Sequence, residues 1–165
     1  MQFAHDTEAA LVGVATLVNT LRDDEDRLVD PAALAAFVDQ EGFTGHRSGT
    51  LVELEEIRVL RARLATLWRA PDDPDAAPDD ERIVEVVNDL LASAQALPRL
   101  TRHDGWDWHL HLTAPEAPLV DRMGTEAAMA VADLVRAQDL ERLKRCAAED
   151  CDAVLVDLSR NRSRR

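Results

Sequence analysis

Arg142-Leu-Lys-Arg-Cys146-Ala-Ala-Glu-Asp-Cys151-Asp-Ala-Val-Leu-Val-Asp-Leu-Ser-Arg-Asn-Arg-Ser-Arg-Arg165 divides this chain into two parts. It contains the only two cysteines, with four residues between them. Val154-Leu-Val-Asp-Leu after Cys151 reads as a short strand. Residues 141–145 can pair with it in a hairpin that turns at the two sulfurs. Cys-x4-Cys is a permissible metal knuckle, but zinc takes four ligands and two do not close a tetrahedron. Arg160, Arg162, Arg164 and Arg165 crowd the last six residues. Arginines at such spacing can contact successive phosphates, and a solvated basic tail is the equal alternative. Residues 1–140 have a different, helical pattern, so the expected division is a body over 1–140 and a hairpin module over 141–165.

The charge distribution sharpens that division. The 165 residues carry a net charge of −13, with 46% apolar and 31% charged residues. Residues 1–140 contain 12 Lys and Arg against 27 Asp and Glu, whereas residues 141–165 contain seven against five. An acidic body repels nucleic acid, so a polyanion should meet the C-terminal tip first. No apolar run approaches the roughly 18 residues of a membrane-spanning helix, and the N-terminus lacks the basic start of a secretory signal. A cytoplasmic location without membrane association is the expectation, and its reducing conditions favour free thiols or metal ligands over a disulfide.

Upstream of the cysteines the period is helical. Ala10, Leu11, Val14, Leu17, Val18 and Leu21 form one apolar face of a helix expected over 6–22, followed by a charged loop at Asp23-Asp-Glu-Asp-Arg. Asp30-Pro31 supplies an N-cap and first-turn proline for a second helix ending near Gly42. Leu51, Leu54, Ile57, Leu60, Leu64, Leu67 and Trp68 mark a third over 50–69, with Glu53, Arg58 and Arg61 expected on its outer side. An acidic, proline-rich linker from Pro71 precedes a fourth helix over 80–97, and a fifth is expected over 117–137. Between these two, Asp104-Gly105 signals a β-hairpin. Trp106, Trp108, Leu110 and Leu112 alternate with Asp107, His109 and His111, which predicts a strand with its aromatic face inward. The fold class is mainly α (α+β): about five helices with a short β-hairpin, plus the C-terminal partial finger hairpin.

Two candidate sites lie in the body. Asn19 and Arg22 at the end of the first helix, with Trp106 and Trp108, could line a small-molecule pocket. The plainer reading is that Asn19 and Thr20 are polar residues closing a helix. His103, His109 and His111, with Asp104 and Asp107, could hold a metal and support an enzyme, although alternating polar residues on an exposed strand need no such role. No glycine-rich phosphate loop, Gly-x-Ser-x-Gly elbow or His-Glu-x-x-His helix is present. The chain is therefore not expected to be an enzyme.

Arg145-Cys-Ala-Ala-Glu-Asp-Cys151 and Asp157-Leu-Ser-Arg-Asn-Arg-Ser-Arg-Arg165 resemble the bacterial CGNR zinc-finger family, regulators of stress-induced transcription with an N-terminal ABATE domain. Leu17-Val-Asn-Thr-Leu21 resembles the family's N-terminal signature, and the likeness spans essentially the whole chain. It implies that Cys146 and Cys151 are the first two zinc ligands. It also implies that Arg160, Arg162, Arg164 and Arg165 approach DNA, and that the helical domain senses a small-molecule effector or otherwise regulates. The family's finger continues into a second cysteine pair ending in Cys-Gly-Asn-Arg. Because this chain stops at Arg165, zinc is expected in the complete protein and not in this truncated one.

Overall fold

Helix α5, Leu119–Ala137, is the strut against which the other elements pack. The computed structural model describes residues 5–68, 79–102, 108–148 and 150–159. Among these residues there are five helices: α1 His5–Val18, α2 Pro31–Gln40, α3 Leu51–Ala65, α4 Asp80–Ser93 and α5. Three antiparallel hairpins complete the fold: β1 Leu21–Arg22 with β2 Glu25–Asp26, β3 Arg99–Thr101 with β4 His109–His111, and β5 Leu143–Arg145 with β6 Val154–Val156. This is the mainly helical architecture expected from the sequence, with one further hairpin, β1–β2.

Small residues let the helices approach α5 closely. Gly124, Ala127, Ala128 and Ala130 are buried there, beside Leu119, Met123, Val131 and Leu134. A Cβ on Gly124 would sit 3.4 Å from Leu90 of α4 and 3.5 Å from Leu60 of α3, so a larger side chain would wedge these helices apart. Leu11, Val14 and Leu17 of α1, Leu54, Ile57, Leu60 and Leu64 of α3, and Ile83, Val87 and Leu90 of α4 complete the core.

The first helix is shorter than its apolar period suggested. It stops at Val18, and the Thr20 hydroxyl donates to the Leu17 carbonyl at 2.7 Å. The expected charged loop is instead the turn of β1–β2, with Asp23 and Asp24 at φ 51° and 62°. Aspartate tolerates this left-handed geometry better than most residues, and two such positions in succession suit a tight hairpin. Arg61 of α3 anchors the hairpin. Its guanidinium meets Asp26 with two bonds, 2.6 and 2.7 Å, and donates to the Thr20 hydroxyl at 3.0 Å. Arg61 and Glu53 are thus buried rather than on the outer side of α3. Glu53 is drawn in because its carboxylate accepts the Ser48 and Gly49 N–H groups at 2.9 Å each, while Thr50 caps the helix by accepting from the Glu53 N–H.

The β3–β4 hairpin is also turned over relative to expectation. Trp108 is 63% exposed and Leu110 38%, whereas His109 and His111 are half-buried and line the cavity against α5; of the described members of the predicted apolar set, only Leu112 is buried. The reason is that the inner side of β4 borders a cavity that holds Glu41 and Glu126 rather than the close-packed core. Trp108 is covered on one side by Arg102, whose guanidinium carbon lies 5.2 Å from the ring centroid. Trp106, His103, Asp104, Asp107 and most of the proline-rich stretch fall outside the described residues.

The C-terminal hairpin forms as read, with Leu143 opposite Val156 and Arg145 opposite Val154. It is built into the body: Leu143, Val154 and Val156 are part of the common core, and Trp68 Nε1 donates to the Leu155 carbonyl at 3.1 Å. Asn19 completes the attachment. Its Nδ2 donates to the Val154 carbonyl at 2.8 Å and its Oδ1 accepts the Val154 N–H at 2.9 Å. One primary amide therefore acts as a substitute strand along the outer edge of β6.

Removing that amide leaves two inward-facing backbone groups without partners. Asn19→Ala should cost about 1–3 kcal/mol, and hydrogen exchange should show faster opening of β6 than of α3. The Arg61 guanidinium, chiefly by hydrogen bonding, holds the Asp26 carboxyl below its usual pKa of 3.8. A depressed carboxyl contributes stability above its unfolded pKa and loses it as pH falls through the folded one. Asp26→Asn should therefore destabilise by about 1–3 kcal/mol at pH 7. In denaturation measured against pH, the difference from the parent should shrink below about pH 4.

Candidate functional site

The two thiols meet where β5 turns back into β6. The Cys146 N–H donates to the Ala153 carbonyl at 2.8 Å and the Cys151 N–H to the Ala148 carbonyl at 3.3 Å; Asp150, at φ 59°, closes the turn. The backbone N–H of Ala148 points at the Cys146 sulfur and lowers its pKa below 9.0. A hydrogen bond with the Cys151 thiol adds to this, as does the positive field of Arg22. An N–H aimed at sulfur stabilises the thiolate, the form that ligates metal. Both cysteines are reduced and partly exposed. Their chemistry and placement fit two corners of a tetrahedral zinc site.

The base of the hairpin is held by buried charge. Arg142 Nε donates to Asp139 at 3.0 Å, and its Nη1 reaches the Asp157 carbonyl at 2.7 Å and the Ser159 carbonyl at 3.2 Å. Asp157, fully buried, accepts from Lys144 Nζ at 2.7 Å and from the Ser159 hydroxyl at 2.5 Å. This network fixes the backbone at Ser159, immediately before the arginine stretch. Arg160, Arg162, Arg164 and Arg165 lie outside the described residues.

The residues singled out as a pocket are not brought together. Asn19 is committed to β6. Arg22 lies against the thiols, with Nη2 3.8 Å from Cys151 Sγ and Nε 3.4 Å from Asp152. Trp108 lies on the outer side of β4, and Trp106 is outside the described residues. The first two belong to the cysteine hairpin because an open strand edge and a thiol pair lie within reach of the α1 terminus.

A cavity does lie between the first helix and the β3–β4 hairpin, but with a different lining. It has a volume of about 480 Å³ and is walled by α1 from Asp6 to Gly13, Glu41 to Thr44 after α2, β4 with the residues that follow it, and the inner side of α5. Ala10, Leu112, Met129 and Ala130 supply apolar wall; Glu41, His109, His111 and Glu126 supply polar groups. His109 Nε2 and His111 Nε2 lie 3.0 Å apart, so one ring donates to the other. Burial raises the Glu126 carboxyl to about 7, with Arg122 and His109 opposing the rise. Burial raises Glu41 too.

Arg122 does not neutralise these acids at close range. Its guanidinium donates to the Ala117 carbonyl at 3.1 Å and to the Thr44 and His46 carbonyls. Gly45 makes this reach possible: at φ +94°, a Cβ there would lie 2.7 Å from the Pro115 carbonyl oxygen and 2.9 Å from Arg122. Glu126 and Arg122 were missed in the sequence, although a signal existed. They sit four apart on a helix whose other buried positions are mostly apolar or small, where a charged residue needs a reason. A second, mainly apolar groove of about 520 Å³ runs between α3, α4 and α5, lined by Leu51, Val52, Val59, Leu60 and Leu90.

Among the described residues, no cluster of three or more His, Cys, Asp or Glu side chains could hold a metal, and no helix is long and apolar enough to cross a membrane. No curated protein matches the chain. Two family models do. The CGNR zinc finger model matches residues 142–165, covering the cysteine hairpin and the arginine stretch. The ABATE model, described as "Putative stress-induced transcription regulator", matches residues 14–138. That match takes in the last five residues of α1 and all of α2 to α5, well over half the sequence, and the chain belongs to the ABATE family.

Proposed function

We propose that this protein is a DNA-binding transcription regulator whose helical body controls a zinc-clasped C-terminal finger. The observation that carries the reading is the pair of thiols at the turn of a hairpin whose opposite end is locked into the core. Zinc, when bound, would tie β5 to β6 through Cys146 and Cys151, with two further donors completing the tetrahedron. Arg22 favours the Cys146 thiolate by its charge and braces the turn through Asp152. The network of Asp139, Arg142, Lys144 and Asp157 fixes the point from which Arg160, Arg162, Arg164 and Arg165 reach DNA phosphates. The acidic body repels the duplex, so contact is confined to this tip, which favours one docking orientation.

Asn19 gives the family's N-terminal signature a physical role in this reading. Leu17 is buried core, Asn19 grips the finger strand, and Thr20 is held by Arg61. The motif joins body to finger. No catalytic step is assigned to the chain, and a small-molecule effector acts on the body.

Metal analysis and DNA titration of the full-length protein test the reading. One zinc per chain is expected, and it should be lost from a Cys146→Ser, Cys151→Ser variant. DNA affinity should fall steeply with salt, and Arg160→Ala with Arg162→Ala should reduce the log–log salt slope by about two. Zinc retained by the double-serine variant would place the ligands elsewhere, and a salt-independent affinity would rule out the arginine contact.

A further inference from the structure

The cavity between α1, β4 and α5 has features that a filled or purely structural space would lack. Its volume, about 480 Å³, is in the range of small-molecule sites and far larger than a single metal ion needs. Its walls combine apolar surface with a strongly one-sided set of charges. Asp6 from α1, Glu41 from the end of α2, and Glu126 and Asp133 from α5 line it; among the described residues Arg122 is the only Lys or Arg in the lining, and His109 and His111 face in from β4.

One of the four acids is already engaged: Asp133 accepts from the Thr7 hydroxyl at 3.0 Å and pairs with Arg136 at 3.4 Å. Asp6 lies in the first turn of α1, where the helix N-terminus favours a carboxylate. Glu41 and Glu126 are different: among the described residues neither carboxylate accepts a hydrogen bond or forms an ion pair. Arg122 cannot turn to an incoming anion without abandoning the Thr44, His46 and Ala117 carbonyls. Among the described residues the site therefore offers no uncommitted Lys or Arg to an anionic ligand and has unengaged carboxylate acceptors for a cationic one. A half-buried carboxylate without a partner weakens the fold, and a ligand that supplies the partner removes that cost.

We propose that this cavity binds a small organic cation, an alkyl or aromatic ammonium compound, with Glu126 as principal counter-ion, Glu41 as second acceptor and the α1, Leu112 and Met129 walls around its apolar body. The proposal concerns the helical body alone and stands whether or not the finger binds DNA.

Calorimetric titration of the full chain with 2-phenylethylammonium and hexylammonium, against 2-phenylethanol and hexanoate, tests it. At least one ammonium should bind saturably and at least about tenfold more tightly than the alcohol and the carboxylate, about 1.4 kcal/mol of discrimination. Glu126→Gln should weaken that binding about tenfold or more, and Glu41→Gln less. Folding is checked independently. The folded Glu126 carboxyl is raised to about 7 from 4.5, so between those values the folded state keeps a proton that the unfolded state has released. Stability therefore falls as pH rises through that window. Glu126→Gln should accordingly melt higher than the parent at pH 8 and at nearly the same temperature at pH 4.5. Gain of stability with loss of ammonium binding is a combination that a merely structural role for Glu126 does not produce. Absence of ammonium binding, equal or tighter binding of hexanoate, affinity unchanged in both glutamine variants, or zinc displacing the ammonium through His109 and His111 would each overturn the proposal.

Discussion

Every residue of α5 from Leu119 to Val135 is buried or half-buried, and its first exposed residue is Arg136. That constraint shapes the rest of the structure. A helix enclosed this fully must be slim where its neighbours cross, hence the small residues at 124, 127, 128 and 130. Its polar side chains must be satisfied inside the protein or carry a cost. Thr125 bonds back to the Asp121 and Arg122 carbonyls at 2.8 and 3.1 Å. Arg122 is met by three backbone carbonyls of the surrounding loops, which organises the Thr44–His46 turn and the segment before α5. Asp121 and Glu126 are held above the usual carboxylate range by the same enclosure. The cavity is where this enclosure is incomplete.

The enclosure also separates two kinds of buried charge. Arg61–Asp26 and Arg142–Asp139 are closed pairs with further hydrogen bonds around them, the condition under which a buried ion pair is tolerated. They fasten the hairpins β1–β2 and β5–β6 to the helices, elements too short to stand alone in water. Glu126 is open, with Arg122 near enough to be felt but committed elsewhere. Closed pairs suit attachment, whereas an open carboxylate beside an apolar wall suits a ligand that comes and goes.

Much of this was legible in the sequence. Apolar period located the helices, Asp30-Pro31 marked the start of the second, and Val154-Leu-Val after the cysteine pair marked the C-terminal hairpin. The failures share a cause: local pattern does not show what lies opposite. Asp23 and Asp24 read as a solvated acidic loop because their left-handed backbone has no signature beyond residue type. Alternation along β4 identified two faces but not which was inward, since a cavity with carboxylates in its lining inverts the usual rule. Arg61 and Glu53 looked like exposed helix charges because their partners, Asp26 and the Ser48–Gly49 backbone, lie in other segments. Asn19 looked like a helix-ending polar residue, and only the position of β6, 135 residues away, reveals its work.

Helix α1 ties the two candidate sites together. Its first half, from Asp6 to Gly13, is a wall of the cavity, and the residue just past its end, Asn19, grips the finger strand. A helix of 14 residues is about 21 Å long and stiff on that scale. Displacement at its start is therefore carried to its end rather than absorbed within it. The grip at that end is directional, because both amide bonds to Val154 lie along one strand edge and weaken together if α1 slides or rotates. Free energy passes between the sites only to the extent that a ligand binds one position of α1 better than another, and any such coupling is reciprocal. Asn19 is thus the joint at which α1, a wall of the cavity, meets the cysteine hairpin, beside the direct run of α5 through Asp139 and Arg142 into β5.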